Sequence, residues 1–288
     1  MFGVSSMTEQ LRKVALLKPS EALIKADPKK WHYGPDFDPN KISDVHDSFT
    51  NLLIDNGVEV FWIDDKSSGI ADAVFTYDAS LMTEHGAILM SPGKALRAGE
   101  QDLHQAFYES CKIPVIGSIS GTGRAEAGDT LWLDNSTLIV GRGFRTNQQG
   151  VDQIRDILEP LGVEVLAYDL PFYKGADACL HLMSLISLVD TRIALVALQL
   201  LPVGFYELLK SRGFQIIEAP ATEFETSNTL STNVLALSPG RCVMLNNLPL
   251  TTKKLEQFGI HVQVFNGDAL CIGCEGGPTC LTRPLLRD

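Results

Sequence analysis

A chain of 288 residues, 45% hydrophobic and 20% charged, has the composition of a water-soluble globule with ample core. Its formal net charge of −11 is spread without any Lys/Arg cluster, which argues against nucleic acid or an anionic membrane as partner. The apolar run at residues 193–201 falls well short of the roughly eighteen residues a spanning helix needs. The opening Met1-Phe-Gly-Val-Ser-Ser has neither a charged leader nor a long apolar stretch. The chain is therefore expected in the cytoplasm, with its six cysteines reduced rather than paired.

Taken in chain order, a strand-like run at residues 14–17 is followed by the longest irregular stretch, 26–40, which carries Pro28, Gly34, Pro35 and Pro39. An amphipathic helical run around 49–53 then leads into a β-branched strand, 57–64, that opens on Gly57. The same grammar returns four times. Strands at 87–90, 137–140, 192–196 and 242–245 are each followed by a helical run, near 103–107, 151–158, 205–209 and Leu255. Each helix feeds a second strand, at 112–117, 162–169, 213–218 and 259–265. Gly57, Gly162 and Gly259 stand where a helix C-terminal glycine belongs.

The second strands begin at 57, 112, 162, 213 and 259, a period of about fifty residues, and no linker or low-complexity tract divides them. The expected architecture is one α/β domain over residues 1–288, with five strand–helix–strand units closed around a central axis as a pseudo-five-fold α/β propeller. In such a ring the equivalent connections gather at one end, so residues far apart in sequence meet there. The segments that follow the second strands are rich in chemistry: 71–78, 124–129, 178–184, 223–233 and 276–280.

Cys280 lies in a Gly-Gly-Pro-Thr-Cys turn that can present a thiol with little steric cover. Such a cysteine is a nucleophile if a neighbouring cation or base favours its thiolate, and otherwise an inert thiol. Cys111, Cys179 and Cys242 sit in apolar runs and read as inert. Cys271 and Cys274 have metal-ligand spacing, but no second Cys/His pair accompanies them to complete the four ligands of a structural zinc site. His181 follows a strand among apolar neighbours, as a hydrogen-bonded core histidine would, yet its place in the repeat matches that of Cys280. Glu126 and Asp129 share one short turn, and Arg97 and Arg145 are surface charges or anion-holding groups.

Together these residues resemble the guanidino-group-modifying superfamily of arginine deiminases, amidinotransferases and dimethylarginine dimethylaminohydrolases, and most of all the last. The resemblance rests on Asp72…Phe75…Asp78, Arg97-Ala-Gly-Glu100, Glu126-Ala-Gly-Asp129, Arg145-Thr-Asn147 with Gly150, Leu180-His-Leu182 and Gly276-Gly-Pro-Thr-Cys280, in that order. It covers residues 70–288 and implies the same five-fold propeller. It also implies a hydrolase that acts on arginine or an Nω-substituted arginine and yields citrulline with ammonia or an amine. Cys280 would attack the guanidinium carbon to form a covalent thiouronium. His181 would serve as general acid and then general base. Glu126 and Asp78 would hold the planar cation, Phe75 would belong to the same pocket, Arg97 and Arg145 would bind the α-carboxylate, and Asp72 the α-ammonium. The resemblance calls for no metal and no cofactor. The partner is a small guanidino substrate, and assembly into homo-oligomers stays open. Two positions depart from the pattern. Met183 stands where the free-arginine deiminases have an Asp, which favours an Nω-substituted arginine or an unusual guanidino acid, and Tyr77 stands where an acid is usual. Residues 31–34, Trp-His-Tyr-Gly, are a candidate lid. Transfer of the amidino group to an amine, or ligand binding without catalysis, are the alternatives.

Overall fold

The computed structural model describes residues 1–65, 69–176, 178 and 180–288. Five three-stranded sheets make up its β-structure, one per unit, giving the pseudo-five-fold α/β propeller. In each sheet a middle strand pairs antiparallel with an inner strand and parallel with an outer one. In the second unit these are Gly86–Leu89, Ser80–Thr83 and Val115–Ser118, and in the third Thr137–Arg142, Thr130–Asp134 and Glu164–Asp169. The fourth and fifth units repeat the pattern with middle strands Ile193–Val196 and Arg241–Leu245. The parallel pair needs a crossover, and a helix supplies it each time. The crossover helices are Ile42–Asp55, Glu100–Cys111, Gln148–Leu158, Val203–Ser211 and Pro249–Gln257.

The first unit is closed by the chain's other end. Leu11–Leu16 pairs parallel with Glu59–Trp62, but its antiparallel partner is Arg283–Arg287. Ring closure thus welds the last strand to the first, with Ala15 opposite Arg283. The middle and outer strands match the sequence expectation; the inner strands are an addition to it. Stretches such as Ser80–Thr83 are short, with every residue buried, so they show no alternation for a sequence pattern to catch.

Three of these helices bury apolar residues three and four apart: Phe49 and Leu53, Val151, Ile154 and Leu158, Phe205 and Leu209. Four of the five helix-to-strand turns use glycine with φ between +76° and +83°, namely Gly57, Gly162, Gly213 and Gly259. The fifth, Lys112, takes the same left-handed conformation at φ +56° without glycine's freedom. Among the described residues, no helix is long and apolar enough to cross a membrane.

Candidate active site

The connections that enter the inner strands come together around one cavity, and each unit contributes. Short helical turns carry them: Ala71–Val74 leads to Asp78, Ala127–Asp129 follows Glu126, Leu182–Ser184 follows His181, and Leu230–Thr232 precedes Asn233. The turn before Arg283–Arg287 supplies Cys280. A second set of connections, leaving the middle strands, brings Trp31, His32, Lys94, Arg97 and Arg145 to the same place. The cavity, about 60 Å³, is lined by both sets and by Cys274, Glu275 and Gly276. Of the residues expected from the sequence, Cys280, His181, Asp78, Asp72, Phe75, Arg97 and Arg145 all line it.

Glu126 does not. It lies behind the lining, 1% exposed, and its Oε2 is 2.7 Å from His181 Nε2. Its Oε1 accepts the backbone N–H groups of Gly93 (2.8 Å) and Lys94 (3.1 Å), and Arg145 Nη1 approaches Oε2 at 3.2 Å. A carboxylate so occupied has no edge left for a bidentate grip on a guanidinium. What it holds instead is the imidazole of His181. Burial alone would raise the Glu126 carboxyl; the bond to His181 and the charges of His181, Arg145 and Arg97 outweigh it and hold the group well below the ordinary carboxylate range. Asp129 secures the same segment from below. Its Oδ1 accepts the Leu182 N–H at 2.9 Å and its Oδ2 the Thr146 hydroxyl at 2.6 Å, while burial pushes its carboxyl up to about 6.

Asp78 faces the cavity. Its Oδ1 accepts the Gly128 N–H at 2.8 Å and its Oδ2 the Arg97 Nη1. Arg97, 5% exposed, also donates from Nε and Nη2 to Glu100, at 2.8 Å each, and from Nη2 to the Phe75 carbonyl at 3.0 Å. With four donations to the protein, Arg97 acts first as a clamp that fixes Asp78 and the Phe75 turn, rather than as an open carboxylate fork. Asp72 is likewise engaged. Its Oδ1 takes the Tyr33 hydroxyl at 2.7 Å, and its Oδ2 lies 2.6 Å from Lys94 Nζ.

Asn233 is a site residue that the sequence reading left inside a polar stretch. Its Nδ2 donates to Cys280 Sγ at 3.1 Å, and its Oδ1 accepts the Thr279 N–H at 3.0 Å. One amide thus holds the cysteine turn and offers a donor to the sulfur. Its signal was positional, since it stands two residues before the inner strand Leu235–Ser238, as Asp78 stands two before Ser80–Thr83. The turn itself tolerates no extra bulk: a Cβ on Gly276 would lie 2.2 Å from the Phe75 ring, and one on Gly277 2.5 Å from the Asn233 side chain.

The candidate lid is in contact with the site. Asp27 caps the short helix Pro28–Trp31, accepting from Lys29 N at 3.0 Å, and the helix ends at His32 with φ +64°. Trp31 and His32 line the cavity, and Lys94 Nζ reaches the Trp31 carbonyl at 3.2 Å. Met183 and Tyr77 do not line this cavity. Both line a separate cavity with Arg283, whose guanidinium lies 4.1 Å from the Tyr77 ring centre, so the thioether carries no argument for a methylated substrate. Of the cysteines read as inert, Cys242 is buried, which pushes its thiol up to about 12; Cys111 is half-buried, and Cys179 lies outside the described residues. Asp78, Glu126 and His181 place ligand atoms within 4.8 Å of one another, but those oxygens already hold Gly128, Arg97 and the imidazole.

Comparison with known proteins bears on this geometry. The family model described as N,N dimethylarginine dimethylhydrolase, eukaryotic, matches residues 22–279. An N(G),N(G)-dimethylarginine dimethylaminohydrolase of Streptomyces coelicolor is 28% identical over 240 residues, 82% of this chain and 83% of that one. Its Pseudomonas aeruginosa namesake is 26% identical over 212 residues, 73% of this chain and 76% of the relative. The solved structure of a cysteine-to-serine mutant of a Pseudomonas aeruginosa enzyme of this name, complexed with citrulline, superposes with a TM-score of 0.76 at 22% identity. It covers 97% of this chain and 100% of the other, a likeness of fold.

Proposed function

Because the chain belongs to the N,N-dimethylarginine dimethylhydrolase family, hydrolases acting on C–N bonds of linear amidines, we propose that it hydrolyses the guanidinium C–N bond of an arginine-like guanidino acid through a covalent bond to Cys280. One observation carries this reading. A cysteine with an amide donor, a histidine paired with a buried glutamate, and an acceptor for a planar cation line or adjoin the same cavity.

In this mechanism the substrate cation lies against Asp78 and Phe75, with its carbon toward Cys280. The sulfur attacks, forming the S–C bond. As the tetrahedral adduct collapses, the C–N bond breaks and the imidazolium of His181 gives its proton to the departing nitrogen. His181, now neutral, takes a proton from water as the oxygen adds to the thiouronium carbon. The S–C bond then breaks, leaving a ureido product and a free amine or ammonia. Glu126 supports both charge states of the imidazole because it stays ionised behind it. Arg145 lines the cavity beside Glu126 and is assigned here to the substrate carboxylate. Trp31 and His32 line the cavity, and Lys94 Nζ holds the Trp31 carbonyl at 3.2 Å, so movement of this segment would admit the substrate.

The test is incubation of the full chain with arginine, its Nω-methylated forms and guanidino acids, with products read by mass spectrometry. The expected result is a ureido product without any added amine, and a mass adduct trapped on the peptide holding Cys280. Substantial turnover by Cys280→Ser would refute covalent catalysis, and strict dependence on an added amine would replace hydrolysis with amidino transfer.

A further inference from the structure

An α-amino acid bearing a guanidinium brings three charges to the cavity: the guanidinium, an α-ammonium and an α-carboxylate. Asp72 is the acid that the family resemblance assigns to the ammonium. In this chain it already holds one. Lys94 Nζ lies 2.6 Å from Asp72 Oδ2, with the two side chains only 18% and 8% exposed. The lysine is anchored from three further directions. Its ammonium donates to the Trp31 carbonyl at 3.2 Å and sits 5.3 Å from the centre of the Trp31 ring, and its backbone N–H is held by Glu126 at 3.1 Å. Tyr33 occupies the other oxygen of Asp72, and burial together with the neighbouring Asp72 charge keeps that phenol protonated as the donor.

A second ammonium arriving at Asp72 must either face Lys94 as a like charge or expel it from a buried ion pair. Breaking such a pair leaves an uncompensated charge out of water, which is strongly unfavourable. A carboxylate meets the opposite situation. It displaces nothing from Asp72, and Lys94 and Arg145, each already paired with an acid (Asp72 and Glu126), line the cavity as the groups that would donate to it. Specificity then comes from a repulsive element as much as an attractive one.

Building on the hydrolase reading above, we propose that Lys94 makes this a site for ω-guanidino carboxylates that lack an α-ammonium, by filling the Asp72 carboxylate and presenting its own positive charge to the substrate carboxylate. The member of this class matched in length to arginine is 5-guanidinopentanoate, which is arginine without its α-amino group. Its hydrolysis gives 5-ureidopentanoate and ammonia, with one water consumed. An Nω-methylated form releases the corresponding amine instead.

The experiment measures kcat and KM on the full chain for 5-guanidinopentanoate against arginine, and for the Nω,Nω-dimethylated form of each. Calorimetric binding of the same four compounds to Cys280→Ser runs alongside. The expected result is a kcat/KM at least tenfold higher for the members without the amino group, carried mainly by KM. Lys94→Met shrinks that ratio at least tenfold, by raising KM for the deaminated acids and lowering it for the amino acids. Lys94→Arg keeps the preference. Melting temperatures establish that both variants fold. Wild-type preference for arginine or dimethylarginine overturns the inference and makes Glu275, a further carboxylate on the cavity wall beside Asp72 and Asp78, the seat of the ammonium. An unchanged ratio in Lys94→Met overturns it as well. If none of the compounds turns over yet the deaminated acids bind more tightly, the hydrolase reading fails and the assignment of Lys94 stands. If none binds, both fall.

Discussion

Gly128 lies beneath the two side chains that the proposed chemistry depends on, and replacing it with alanine tests whether their placement matters. A Cβ built on Gly128 lies 2.6 Å from His181 Nδ1, 2.6 Å from Asp78 Oδ1 and 2.8 Å from His181 Cγ. Its φ is outside the left-handed region, so alanine meets no backbone strain there and the effect is one of space alone. Contacts become ordinary at 3.4 Å, so something must yield by 3.4 − 2.6 = 0.8 Å. Asp78 is fixed by Arg97 and by the Gly128 N–H itself, and the imidazole is fixed by Glu126 at 2.7 Å. If the ring moves along that bond, 2.7 + 0.8 = 3.5 Å takes it beyond a good hydrogen bond. A charge-assisted bond of this kind is worth about 1.5–3 kcal/mol, and an ångström of misplacement at a reacting group costs about a hundredfold in rate. Gly128→Ala should therefore lower kcat by about two orders of magnitude on whichever guanidino acid is turned over. Overpacking also costs about 1–3 kcal/mol of stability, so kcat is measured well below the melting transition recorded by circular dichroism. Glu126→Gln serves as the comparison, because it weakens the same bond without added volume. A folded Gly128→Ala protein with kcat within threefold of wild type would show that the position of the imidazole is not what limits turnover.

Two further outcomes follow from the site. Asn233→Ala removes the donor 3.1 Å from Cys280 Sγ, and a hydrogen bond to a charged partner is worth about 1.5–3 kcal/mol. Alkylation of Cys280 by iodoacetamide at pH 7 should slow about tenfold or more, and kcat/KM should fall in step. Asn233→Asp, which adds a negative charge and removes the donor, should be worse, and an Asp variant that matches Ala would argue against an electrostatic role. Asp129 predicts a pH effect on stability. Burial raises its carboxyl in the folded protein to about 6, above the ordinary value of 3.8, so between those values the folded state binds more protons than the unfolded. Its contribution to stability is then fully present below about 4 and is lost as pH rises through about 6. Asp129→Asn should flatten that decline, shrinking the drop in urea midpoint between pH 4 and pH 7. An Asn variant with the wild-type slope would place the titration elsewhere.

The repeat made the fold readable because it is written in two periods at once. Helices with Phe49 and Leu53, or Val151, Ile154 and Leu158, on one face, each ending in a glycine turn and a β-branched strand, leave few architectures open. Lys112 shows that the turn's conformation is set by the unit rather than by glycine, since it adopts φ +56° in the one unit that lacks it. The inner strands carried no such signature. Ser80–Thr83 and its counterparts are only four or five residues long and largely buried, and one of them belongs to the opposite end of the chain. That pairing, Leu11–Leu16 with Arg283–Arg287, is a consequence of closing the ring and has no local cause.

The site was legible in its residue types and less so in their roles, and the reason is physical. Motif spacing brings Cys280, His181, Asp78 and Arg97 to one cavity because equivalent connections share one end of the propeller. A role, by contrast, depends on which donors a carboxylate has already accepted. Glu126 and Asp78 look alike in sequence, yet Glu126 spends its oxygens on His181, Arg145 and two backbone amides, and Asp78 remains on the cavity wall. Lys94 is a single exposed-looking lysine in a Pro-Gly-Lys turn, and only the fold shows its ammonium against Asp72. The proposed substrate preference rests on that saturation. If Asp72 is the ammonium acceptor, a cavity in which it is already paired with Lys94 discriminates at the carbon where the substrate either carries an amino group or does not.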